Sequence, residues 1–267
     1  MQTRRHLLAI GLAAVLSLAT ARIASSGPPF VTDDPEPVDY QHWEFYVASM
    51  HSKLEGDWSG TAPHFEINYG AVPELQLHVI APLAYDSPPQ GAAHYGWGDI
   101  ELGAKYRFVQ ETNGWPQIGV FPLVELPAGS ARENLGNGHA QAFLPVWAQK
   151  SWGSWTAYGG GGYGLNSFSG HDNWGFVGAV LQKQVLTNVL LGVEVYHQSQ
   201  YETDFPNSDT SFNVGTVIDL TENHHLLFSA GRSIDGPVKF QCYIAYQFTC
   251  DNSIWHFWKK PQPTAAP

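Results

Sequence analysis

Asp99-Ile100-Glu101-Leu102-Gly103-Ala104-Lys105-Tyr106-Arg107-Phe108 decides the fold. Ile100, Leu102, Ala104, Tyr106 and Phe108 form one set, and Asp99, Glu101, Lys105 and Arg107 stand between them. A period of two sustained this long is a strand with one apolar and one polar face. The same alternation runs outward in both directions. Trp43, Phe45 and Val47 oppose His42, Glu44 and Tyr46, and Phe65, Ile67 and Tyr69 oppose His64, Glu66 and Asn68. Leu75, Leu77 and Val79 oppose Gln76 and His78, while Ile118, Val120, Val124 and Leu126 oppose Gln117 and Glu125. Less regular segments follow at 140–150 and 155–165, then clearer ones at 174–184 and 189–198. Phe212, Val214, Ile218 and Leu220 oppose Asn213 and Asp219, 225–233 is weak, and Phe240 to Phe248 opposes Lys239, Gln241, Tyr243 and Gln247.

About twelve strands result, an even number, as in bacterial barrels. Short connections fall at 71–74, 111–114, 151–154, 186–188 and 221–224, and long ones at 54–61, 87–98, 128–138, 167–173 and 201–209. Alternating short turns and long loops is the pattern of up-and-down strands crossing a membrane, with turns on the periplasmic side. The expected fold is an all-β transmembrane antiparallel up-and-down β-barrel. A soluble sandwich or lipocalin-like barrel shares the alternation. Its strands average five to six residues, about half the length seen here, and no second apolar set is present to fill a sandwich core.

Composition agrees. Of 267 residues only 14% are charged, with 10 Trp, 12 Tyr, 14 Phe and 27 Gly. A net charge of -11 on a chain with 13 scattered basic residues excludes nucleic acid as a partner. Arg4 and Arg5, the apolar run Leu7 to Leu18, and Ala19-Thr20-Ala21 read as a cleaved export signal over 1–21. The arginine pair also fits a twin-arginine leader. Residues 22–40, with Pro28, Pro29, Pro35 and Pro37, read as a periplasmic linker, 41–248 as the barrel and 249–267 as a tail. Cys242 and Cys250 lie about 26 Å apart if both stay on one extended strand. A bridge needs the chain to turn back after Phe248; otherwise both are thiols.

Three segments carry a family resemblance: Phe30-Val31-Thr32-Asp33-Asp34-Pro35 leading into His42-Trp43-Glu44; Pro63 through Gly70 followed by Leu75-Gln76-Leu77; and Gly98 through Phe108. Together they resemble the outer-membrane family named for the MetA pathway of phenol degradation. The resemblance implies an outer-membrane barrel that acts as a transporter, and the family name alone suggests aromatic or hydrophobic solutes. The tail after Phe248 departs from a barrel that ends on its last aromatic residue.

Ionisable residues at membrane depth face water or a partner. Glu44, Glu66, Asp99, Glu101, Lys105, Arg107, Glu125, Glu194, Asp219 and Lys239 are therefore expected to line the lumen. They can form a polar pore or an ion-paired plug. Lys105 and Arg107 are expected to pair with acids on neighbouring strands, such as Glu66 or Glu125. Gly159-Gly160-Gly161-Gly162 lacks the Gly-Lys-Ser and helix of a phosphate loop, and reads as a place of close approach within a strand. The 12 histidines show no metal-ligand spacing. No metal, cofactor or catalytic group is expected. Expected partners are outer-membrane lipid, the barrel-assembly machinery and a small-molecule solute. The leading expectation is a passive channel. A structural or surface-binding barrel with a plugged lumen is the alternative. A barrel lipid hydrolase, with Ser199 near His197 or Ser229 near His225, is the third.

Overall fold

The computed structural model describes residues 28–166, 172–200 and 208–253. The proposed export signal and most of the tail lie outside them. Twelve wall strands form the barrel: β1 (His42–Lys53), β2 (Trp58–Val72), β3 (Leu75–Ser87), β4 in two segments (His94–Trp97 and Ile100–Val109), β5 in two segments (Gln117–Val120 and Leu123–Leu126), β6 (Gln141–Trp152), β7 (Trp155–Leu165), β8 (Trp174–Leu186), β9 (Val189–Gln198), β10 (Asp209–Asp219), β11 (His224–Asp235) and β12 (Phe240–Asp251). Each pairs antiparallel with its neighbours in sequence, and β1 closes the ring on β12 with Phe45 opposite Phe248 and Val47 opposite Tyr246. Closure leaves no open edge, the condition for a sheet to stand in lipid.

The outer face is apolar and exposed: Val47, Phe65, Leu102, Val146, Val193 and Ile244 all point away from the barrel. Such a band is costly in water and is matched by hydrocarbon. Aromatic rings sit at its borders. Trp43 stacks on Tyr69 at 4.1 Å at the end where β1 starts and β12 stops, and Trp58 meets Phe240 edge-on at the other end. Rings with one apolar and one wet side belong at these interfaces. No helix among the described residues is long and apolar enough to cross a membrane.

Three strand boundaries differ from expectation. The first connection is four residues, 54–57, and not a long loop, because Gly60 pairs with His51 and Ser59 with Ser52. Ser59, Gly60 and Thr61 read as loop, yet the backbone ladder needs no apolar side chains where both faces are wet. In the same way His94–Trp97 pairs with Leu83–Asp86 inside a presumed loop. At the far end β12 runs to Asp251, with Cys250 opposite Trp43, so the wall takes in the first residues of the expected tail. Cys242 and Cys250 are free thiols on this one strand.

The weak segments at 140–150 and 225–233 are full strands. In β6 the inward residues Phe143, Pro145 and Trp147 are as apolar as the outward Leu144 and Val146. Polarity then has no period, although the backbone does.

Candidate functional site: a lumen narrowed by the N-terminal segment

Residues 28–40, which read as a linker, are folded into the barrel. Thr32 and Asp34 are fully buried, and Val38 is nearly so. The extended segment has no ladder, so the wall must supply partners for its backbone. Glu194 of β9 accepts from Thr32 N at 2.5 Å and Val31 N at 3.3 Å. Gln76 of β3 accepts from Val38 N at 2.9 Å, and the Ser229 hydroxyl donates to Pro29 O.

Ion pairs fix it further. Lys105 of β4 is 1% exposed, with Nζ 2.9 Å from Asp33 Oδ1 and 3.7 Å from Asp34 Oδ1. Glu36 Oε1 lies 3.6 Å from Arg107 Nη1, and Glu36 Oε2 accepts from Gln117 at 3.1 Å and Gln149 at 3.0 Å. A buried ammonium without such partners costs several kcal/mol, roughly.

Two glycines show how closely the segment approaches the wall. A Cβ on Gly192 would stand 2.7 Å from the Phe30 ring, and one on Gly178 would collide with Thr32 Oγ1. A side chain at either position would require the segment to shift. The glycine run in β7 has the expected role of close approach, to backbone carbonyls of the adjacent strands at Gly159, Gly160 and Gly161 and to aromatic rings at Gly160 and Gly162. A Cβ on Gly160 would lie 2.9 Å from the Trp147 ring, and one on Gly162 would lie 2.6 Å from Phe143.

The lumen is chemically two-sided. Phe121, Trp147, Phe176 and Tyr196 form a buried cluster with Phe143 and Trp174 packed on it, across β5 to β9. The polar side, on β1 to β4, is one network. Tyr46 OH donates to Glu44 at 2.8 Å, Asn68 donates to Glu66 at 2.8 Å, and His78 lies 2.7 Å from Asn68 Oδ1 and 2.9 Å from Glu101 Oε1. Beside the N-terminal segment lies a half-open chamber of about 390 Å³. His64, Glu66, His78, Glu101 and Tyr243 give it polar lining, and Phe30, Ile80, Phe121 and Leu123 apolar lining, with the Phe121 ring meeting His78 edge-on at 5.2 Å.

Of the residues expected in the lumen, Glu44, Glu66, Glu101, Lys105, Arg107, Glu125 and Glu194 face inward, and the first five share this polar side. Asp99 lies in the break between the two segments of β4. Its carboxylate binds Gly129 N at 2.8 Å and Asn137 N at 2.6 Å, which folds loop 127–140 onto the wall. Glu125 accepts from Asn137 at 2.9 Å and also from Gln141. Asp219 sits at the end of β10 on His225, 2.7 Å away. Lys239 is at the opposite rim, half exposed and 3.1 Å from Glu55, because it precedes β12 and turns to the neighbouring loop.

The expected pairing of Lys105 and Arg107 with Glu66 or Glu125 does not form. The strand register puts Gln76 opposite Lys105, and the N-terminal segment supplies both acids of Lys105 and one acid of Arg107. Arg107 also binds Glu74 in the β2–β3 turn at 2.5 Å, and that hydrogen bond holds the Glu74 carboxyl below its usual range. The hydrolase pairs do not meet either. Ser199 Oγ accepts from Gly175 N, His197 faces Thr210, Ser229 holds Pro29 and His225 holds Asp219. Sequence reasoning missed Asp33, Asp34 and Glu36. The available signal was three acids in a short proline-rich stretch, set against two cations on one strand face.

No family model and no curated protein matches the chain. Solved structures do. An outer membrane channel from Pseudomonas putida F1 is 17% identical with a TM-score of 0.70, covering 81% of this chain and 98% of that one. The NanC porin is 6% identical with a TM-score of 0.56, covering 76% of this chain and 98% of that one. At such identities the likeness is one of fold, and the chain has the fold of an outer-membrane β-barrel.

Proposed function

We propose that the chain is a passive outer-membrane channel for small molecules, narrowed by its own N-terminal segment. The observation that carries this is the unfilled, half-open chamber of about 390 Å³ inside a closed lipid-facing barrel. A barrel built only to be rigid gains from filling such a space, since voids forfeit packing contacts. The two proteins of similar structure, an outer membrane channel and a porin, support the reading. So does the resemblance to the outer-membrane family named for the MetA pathway of phenol degradation, whose name alone suggests small aromatic or hydrophobic solutes. Export through the signal at 1–21, insertion by the barrel-assembly machinery and a transport role for the lumen residues belong to the same proposal.

A permanently closed barrel is the second reading, favoured by the ion pairs of Lys105 and Arg107. Planar bilayers separate the two. The full-length folded protein is expected to give small discrete current steps. A silent bilayer containing folded protein contradicts the channel.

A further inference from the structure

The chamber is more selective in its chemistry than a passive pore requires. Its lining includes Asp33, Glu66 and Glu101, against Lys105 as the one Lys or Arg among the lining residues. Lys105 is already committed to Asp33 and Asp34. Glu66 and Glu101 then face the space with His78 between them, 3.6 Å from the first and 2.9 Å from the second. With both acids ionised, one imidazole balances at most one of them and a negative charge is left over. The apolar part of the lining strengthens that field.

The rest of the lining includes aromatic and aliphatic groups, Phe30, Ile80, Phe121 and Leu123. The Phe121 ring already carries the Lys105 ammonium 5.0 Å from its centre, so this wall tolerates a cation against an aromatic face. A further group lacks a partner. Tyr243 is 8% exposed, and its buried hydroxyl has no hydrogen-bond partner among the described residues. It lines the same chamber as Glu66 and His64. An unpaired buried hydroxyl costs about 1–3 kcal/mol and points to a group that would satisfy it. At ~30 Å³ per water the chamber holds about thirteen waters, the size of a solute of about a dozen heavy atoms.

We propose that this chamber is a binding site for small amphipathic organic cations, the ammonium at Glu66, Glu101 and the Tyr243 hydroxyl, and the apolar body against Phe121, Leu123 and Phe30. The inference rests on the channel reading and names its solute class. Carboxylate solutes of the same shape are repelled by the uncompensated acid, and neutral alcohols lose the charge-assisted bond.

Binding to the detergent-solubilised full-length chain tests this without requiring flux. Phenethylammonium, 2-phenylethanol and phenylacetate have nearly one shape and three charges. Titration calorimetry is expected to show the ammonium binding about tenfold or more tightly than the other two. Glu101→Gln should remove about tenfold of that preference, and Glu66→Gln, kept as a second variant should the first misfold, should do the same. Equal affinity for the three, tighter phenylacetate, no binding of any, or a preference unchanged in both variants overturns the proposal. Single-channel currents report on the channel separately. Current steps without cation-selective binding remove this inference alone, and a silent bilayer with selective binding intact removes the channel alone.

Discussion

Deleting residues 28–39 is expected to raise single-channel conductance by on the order of tenfold, with the barrel still folded. None of the twelve strands contains these residues, so every wall hydrogen bond survives. What is lost lies inside: the backbone bonds to Glu194 and Gln76, and the carboxylates facing Lys105 and Arg107. Those two cations and Glu194 then meet water, which can enter a twelve-stranded lumen once the segment is gone. Heat-modifiable migration in gels reports that the barrel is intact, and bilayer recording reports the conductance. Unchanged conductance in the folded deletion would mean that the constriction lies elsewhere.

The second large effect is expected from Lys105→Met. Removing one partner of a buried ion pair costs about 3–5 kcal/mol, because the other charge stays buried and unpaired. Here the carboxylates that lose their ammonium are Asp33 and Asp34. They sit on a segment that can leave, so the strain is relieved by displacement of the segment and not by unfolding of the wall. At about 1.4 kcal/mol per tenfold, the seated-to-released ratio falls by roughly two to three orders of magnitude. Limited proteolysis should cut between 28 and 40 in the variant and spare the parent. Conductance should rise toward that of the deletion. A variant carrying Lys105→Met with Asp33→Asn and Asp34→Asn should recover part of the protection, since no lone charge is then buried. If Lys105→Met lowers barrel stability and leaves the segment protected, the pair belongs to the wall alone.

The wall was legible in the sequence wherever the two faces differ in polarity. Around Leu102 to Phe108 and Phe65 to Tyr69 the outward residues meet lipid and the inward ones meet water or ion pairs, so the period of two is plain. It fades in β6 and β7, where Phe143, Trp147 and the glycines place apolar groups on the inner side too. Ends were misjudged for another reason. Ser59 to Thr61 and the strand at 94–97 lie beyond the apolar band, where backbone pairing continues without a side-chain signature.

The site was legible as a set of inward ionisable residues and not as a set of pairs. Glu194 and Lys105 could be placed on the inner face from their own strands. That they hold Thr32 and Asp33 depends on where a strand-free segment lies, more than 70 residues away in sequence. No local periodicity encodes such a contact. Wall glycines such as Gly178, Gly192, Gly119 and Gly215 carry its imprint, and they can be interpreted once the partner is known.

The position of the segment in the lumen is tested most directly by a designed cross-link. An added Cβ at Gly178 lies 3.1 Å from Thr32 Cβ, slightly inside the range of about 3.5–4.5 Å that a disulfide spans. A small shift of the segment accommodates the difference. With Cys242→Ser and Cys250→Ser to remove the native thiols, Thr32→Cys with Gly178→Cys is expected to form a bridge on mild oxidation. Mass spectrometry should find the peptide around 32 joined to the peptide around 178, and Lys105→Met should no longer release the segment. Two thiols that remain free to alkylation in the oxidised, folded barrel would contradict the account.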